Sequence, residues 1–301
     1  VSNEILYHYT SAAGLLGILD PVAIPTGWGN TIESNVGSFS LWATDTAYVN
    51  DSGELNYGRA HLAKQLRRTV APDSEHDGLV SGLEFVLSGA FADLDPLEIK
   101  NDLYGPDRLS VYATCFCENG DLLSQWRGYG TGHGYSIGFR KDTLQQTVRV
   151  AGRWSDGDEI RALKPLELVK VQYGEVLPVL RETADLILER GKDDSDAWQM
   201  CLRALAQVKS DGFASEREWR LFDLDRHNYT RCEYRTGPHG VTPYTRIISF
   251  PRPQRNPRPI ERVYVSPGPD IGLRKRAAEQ LLRQRGFHDV DVVPSTISYR
   301  G

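Results

Sequence analysis

Glu216-Arg217-Glu218-Trp219-Arg220 carries the densest chemistry of the chain. Followed by Leu221-Phe222, it reads as a strand with period-two alternation. One face then holds Glu216, Glu218, Arg220 and Phe222, and the other holds Arg217, Trp219 and Leu221. With Trp219 and Leu221 turned to the core, two carboxylates and a guanidinium stand together on the opposite face. Such groups are costly to bury unless paired, and clusters of them in clefts mark functional sites. For an isolated E-x-E-x-R the plainer reading is a solvated, ion-paired strand face.

Other polar residues beside aromatics have competing readings. Tyr7-His8-Tyr9-Thr10 is an aromatic-rich strand in which His8 and Thr10 share a face with Leu6. Taken alone, His8 reads as a hydrogen-bonded core histidine. In Ser124-Gln125-Trp126-Arg127-Gly128-Tyr129, Trp126 and Tyr129 share a helical face. Core packing explains these aromatics. It explains Gln125 and Arg127 less well, and they suggest a cleft wall. The glycine run Gly128 to Gly134 fits neither dinucleotide nor P-loop fingerprints and reads as a turn.

These residues need elements to hold them. Strands are expected at Ile5 to Tyr9, Phe39 to Ala43, Val111 to Cys117, Gly134 to Phe139, 166–173, Trp219 to Phe222, Tyr244 to Phe250, Val263 to Val265 and Val290 to Val293. Helices are expected at Ser11 to Leu19, capped by Thr10 or Ser11, and from an Asp51-x-x-Glu54 capping box to Arg68. Further helices are expected at Asp121 to Arg127, Val176 to Glu189, Trp198 to Val208 and Gly272 to Arg285. Four prolines make Pro251 to Pro259 a loop. Without strict βαβ alternation, the fold class is α+β. One domain over 1–301 is expected, with a helical insertion at about 53–110.

The 301 residues are 40% hydrophobic and 25% charged, enough for a sizeable core. A net charge of −5 argues against nucleic-acid binding through a global positive field. No apolar run is long enough to span a membrane, no N-terminal signal pattern is present, and a cytoplasmic protein is expected. Cys115 and Cys117 share a strand face and cannot readily bond to each other, so free thiols are expected for all four cysteines. No metal-ligand spacing occurs, and no metal is expected.

The ordered set YHYT, LWAT…NDSxE, CFC, SQWRGY, GYSIGF, EREWR and STISYR, from Tyr7 to Arg300, resembles the bacterial domain of unknown function 2971 family. More distantly, Y-H-x-T, the following helix and the aromatic second strand look like the NAD-binding half of ADP-ribosyltransferases. That resemblance implies mixed, largely antiparallel sheets around a central cleft, with NAD as substrate. It implies that His8, with Thr10 on its face, holds the adenosine-side ribose, and that Glu218 directs the chemistry. It further implies a serine or tyrosine after the second strand that supports the nicotinamide end, a position for which Ser40, Thr44, Tyr48 and Tyr57 compete.

On that resemblance, Glu218 stabilises the positive charge that builds on the ribose as nicotinamide leaves. Glu216 activates the acceptor, Arg127 or Arg220 faces the pyrophosphate, and Trp42, Tyr48 or Trp126 stacks on a ring. The acceptor is left open between protein, nucleic acid, small molecule and water. A bacterial toxin or phage-defence effector is the biological role that accompanies this activity. The competing expectations are a non-catalytic binding module of the same fold and a metal-dependent nuclease.

Overall fold

The computed structural model describes residues 4–20, 24–25, 31–32, 37–48, 52–70, 110–130, 133–149, 166–190, 200–201, 203–225, 232–237, 240–249 and 259–298. In chain order, β1 (Ile5–Thr10) leads into α1 (Ala12–Ile18). The short pair β2 (Ile24–Pro25) and β3 (Thr31–Ile32) precedes β4 (Phe39–Asp45) and α2 (Ser52–Thr69). Then come β5 (Ser110–Cys117), α3 (Leu123–Tyr129), β6 (Tyr135–Arg140), α4 (Lys141–Leu144) and β7 (Val148–Arg149). β8 (Glu167–Lys170), β9 (Gln172–Tyr173), α5 (Pro178–Arg190) and β10 (Val208–Lys209) follow. The chain continues through β11 (Glu218–Asp225), β12 (Glu233–Gly237), β13 (Gly240–Ser249), β14 (Ile260–Val265), α6 (Ile271–Gln284) and β15 (Asp291–Pro294).

The fold is α+β. Among the described residues, eleven strands form one sheet in the order β12-β13-β4-β5-β1-β6-β14-β15, with β11 on β5, β8 on β11 and β7 on β13. All of its pairings are antiparallel except β14 with β15. The principal core packs α1 and α6 on this sheet, through Leu15, Ile18, Ala278 and Leu282 against Leu6, Phe39, Leu41, Phe139 and Val263. Ser11 starts α1 by accepting the Gly14 N–H at 3.1 Å, the cap that the sequence offered. A second core joins Leu62 and Leu66 of α2, Leu180, Ala184 and Ile187 of α5, and Val208 of β10.

Several expected elements shift. The strand expected over 166–173 divides: β8 pairs with β11, while β9 pairs in parallel with β10 in a separate ribbon. Val208 and Lys209, expected at a helix end and beyond it, form β10. Glu216 is not part of the strand with Glu218. It ends a 3-10 turn over Asp211–Glu216, and Arg217 follows in the left-handed region at φ 44°, ψ 53°. That reversal breaks the alternation, so β11 begins at Glu218. Nor is the face that carries Glu218 and Arg220 solvated, because it packs under β10 and the chain around Ala206. Of the expected helical insertion, α2 lies within the described residues, while 71–109 and the Asp51 cap lie outside them.

The four cysteines are free. Among the described residues no helix is long and apolar enough to cross a membrane.

Candidate functional site

The site forms where the sheet divides. One edge of β5 is paired with β11 throughout, from Glu218 opposite Cys117 to Asp225 opposite Ser110. The other edge serves two strands. β4 pairs at Ala113 and Tyr112, and β1 touches only where Tyr7 faces Cys117. Between these contacts β1 and β4 diverge. Tyr7, Cys117 and Glu218 stand opposite one another across three strands and so share a face. His8, the next residue, reaches across the gap to put Nδ1 2.9 Å from the Cys115 carbonyl oxygen.

A carbonyl only accepts, which assigns the His8 proton to Nδ1 and leaves Nε2 as an acceptor. Burial lowers the His8 pKa and the nearby Arg235 guanidinium lowers it further, against the opposing pull of the Cys115 hydrogen bond. His8 is therefore a neutral imidazole at neutral pH.

Below the divergence sits a buried ion network. Glu218 is 5% exposed, Lys209 5% and Arg220 2%. Arg220 Nε lies 2.6 Å from Glu218 Oε1, and Lys209 Nζ lies 2.6 Å from Oε2. Lys209 also pairs with Glu216 at 2.9 Å, and Arg220 donates a further bond to the Ala206 carbonyl. The Glu218 backbone N–H donates to the Tyr173 hydroxyl at 2.8 Å, which fixes the first residue of β11. Burial pushes the Glu218 carboxyl upward, but Arg220 and Lys209 outweigh it and hold it at about 2. Burial, reinforced by the Glu218 charge, pushes the Cys115 thiol well above its ordinary range. Glu218 is thus a permanent anion and Cys115 a neutral thiol.

A cavity opens over this network, lined by His8, Tyr9, Cys115, Gln125, Tyr129, Lys209, Glu216 and Glu218 among others. His8 and Glu218, 210 positions apart in the sequence, meet at one opening.

The other residues singled out from sequence fall elsewhere. Arg220 backs the network as the partner of Glu218 and does not line the cavity. Trp126 is in the interior, edge-on to Tyr9 with centroids 4.8 Å apart, and its indole N–H donates to Asp121 at 2.8 Å. Arg127 is exposed on α3. Thr10 ends β1 beside Gly14. Tyr48 closes a 3-10 turn after β4, near Tyr234.

Lys209, Tyr173 and Cys115 are site residues that sequence reasoning missed. The one available signal was Cys115-x-Cys117, a pair that had to share a face. Lys209 gave no signal, because its neighbours read as the end of a helix.

Arg235 on β12 also stands out. Its Nη2 donates to Thr44 Oγ1 at 2.7 Å, its Cζ lies 5.7 Å from the Trp42 ring centre, and it has no carboxylate partner among the described residues. Among the described residues no group of three His, Cys, Asp or Glu side chains is arranged to hold a metal ion.

No curated protein and no solved structure matches the chain. Residues 125–221, which run from Gln125 through Lys209, Glu216 and Glu218 to Leu221, match the model of the family described as "Protein of unknown function (DUF2971)", and this supports the resemblance carried by the ordered motifs.

Proposed function

We propose that the cavity binds the nicotinamide end of NAD and that the protein is an ADP-ribosyltransferase-like enzyme, releasing nicotinamide and passing ADP-ribose to an acceptor. The observation that carries this reading is the meeting of His8 and Glu218 at one cavity, with Glu218 held ionised. A carboxyl held at about 2 does not move protons at neutral pH. It presents fixed negative charge, which is what an oxocarbenium-like ribose requires as the glycosidic bond breaks. His8 Nε2 accepts from a ribose hydroxyl. Glu216, the more exposed carboxylate with its side chain 18% accessible, orients the attacking acceptor. Arg235, which has no carboxylate partner among the described residues, is better placed to meet a phosphate than Arg220, which is committed to Glu218.

The test is release of nicotinamide from NAD by the purified protein, with Glu218→Gln as the control. Release that falls at least about 100-fold in the variant is the expected result, the size typical of losing one electrostatic stabiliser. The absence of both nicotinamide release and an NAD-dependent rise in melting temperature sinks the proposal.

One observation favours a second reading, a non-catalytic binding module. Both Glu218 oxygens are already engaged by Arg220 and Lys209. In that case NAD raises the melting temperature, no nicotinamide is released, and Glu218→Gln leaves binding intact.

A further inference from the structure

Gln125 is 9% exposed, lines the cavity, and has no side-chain hydrogen-bond partner among the described residues. Its amide atoms are not among the buried polar atoms left without a partner, so they stay accessible at the cavity and free to pair with a ligand there. Its orientation is not accidental. The neighbouring Trp126 is pinned by Asp121 at 2.8 Å and by the Tyr9 ring, and this fixes the rotation of α3 about its axis. Asp121 is itself held by Ser295 at 2.6 Å and by the Thr296 N–H at 2.8 Å. The helix therefore presents Gln125 to the cavity, where Tyr9, Phe116 and Tyr129 supply flat apolar walls.

We infer that Gln125 is the recognition residue of the cavity for a planar ring bearing a primary carboxamide. A glutamine side chain offers one carbonyl acceptor and an NH₂ donor in a plane. A ligand carboxamide offers the complement, so the two form a pair of reciprocal hydrogen bonds. A carboxylate in the same place accepts only, and faces the glutamine carbonyl oxygen with no proton between them. The inference rests on the NAD reading for its choice of ring. Glu218 lines the same cavity, so the ring it accommodates is the one attached to the reacting ribose carbon, nicotinamide.

Calorimetric titration of the full chain with nicotinamide, benzamide, benzoate and adenosine tests the assignment, alongside nicotinamide release from NAD. The two amides are expected to bind, and benzoate at least about tenfold more weakly, the loss of roughly one hydrogen bond. Gln125→Leu is expected to weaken both amides by at least about tenfold and to raise KM for NAD more than it lowers kcat. Because Gln125 is buried, the comparison of amide with carboxylate on the unaltered protein decides the matter even if the variant does not fold.

Amide binding without turnover of NAD supports the carboxamide site and overturns the enzymatic reading. Turnover of NAD with KM unchanged in Gln125→Leu overturns the role of Gln125 and leaves the enzyme standing. Equal binding of benzamide and benzoate, binding of adenosine alone, or no binding of either amide overturns the inference.

Discussion

Lys209 is the residue on which the site's electrostatics turn. It pairs with Glu218 at 2.6 Å and Glu216 at 2.9 Å while itself only 5% exposed. Removing one partner from a buried ion pair costs more than the pair is worth, because the remaining charge stays desolvated. Lys209→Met is therefore expected to cost about 3–5 kcal/mol in urea denaturation, with most of it recovered in Lys209→Arg. The same network sets a pH dependence. The folded Glu218 carboxyl, at about 2, lies below its ordinary 4.5, so the unfolded chain takes up this proton first as pH falls. Its contribution to stability is whole above about 4.5 and is lost as pH drops toward 2. Glu218→Gln should remove that part of the acid slope in denaturation curves collected across this range. His8 acts in the same direction at higher pH. Its lowered pKa means that the unfolded chain binds the proton more readily, so stability declines as pH falls through the ordinary histidine value.

Arg217 controls the junction between the two glutamates. Its left-handed backbone, φ 44°, separates the 3-10 turn that ends at Glu216 from the strand that begins at Glu218, and so brings both carboxylates to Lys209. A β-branched side chain is strained there. Arg217→Val is expected to lose about 1–2 kcal/mol, and Arg217→Gly to stay within about 1 kcal/mol of the parent, both read from urea midpoints. This junction also marks the limit of what alternation in the sequence reveals. The pattern from Trp219 to Phe222 located β11, and YHYT located β1, because those stretches follow period two without interruption. Alternation puts Glu216 on the strand because nothing in Glu-Arg-Glu announces a positive φ, which glycine or asparagine would flag. β12 escaped notice for a different reason. Glu233, Arg235 and Tyr244 join a polar layer on one face, so the segment lacks an apolar stripe. Lys209 escaped because β10 is two residues long and pairs with β9 alone, leaving no periodicity to read.

The site depends on the two larger cores in different ways. The sheet with α1 and α6 supplies His8, Cys115 and Glu218 from neighbouring strands. The helical core of α2 and α5 supplies Lys209, whose neighbour Val208 packs in that cluster. Gly58 of α2 sits so close to the Leu205 backbone and Val208 that a Cβ there meets Leu205 O at 3.0 Å, leaving no slack in this support. Equal damage to the two cores should therefore have unequal effects on the network. Leu62 is 0% exposed in the helical core, and Leu282 of α6 is 2% exposed in the sheet core. Leu62→Ala and Leu282→Ala are each expected to cost about 2–5 kcal/mol through the cavity left behind. Only Leu62→Ala loosens the seat of Lys209, and it should let the Glu218 carboxyl rise from about 2 toward its ordinary 4.5. Carbon-13 titration of the Glu218 carboxyl, assigned with Glu218→Gln, measures that rise directly. An upward shift of the same size in Leu282→Ala would mean that Lys209 is held by the global stability of the fold and not by the helical core beneath it.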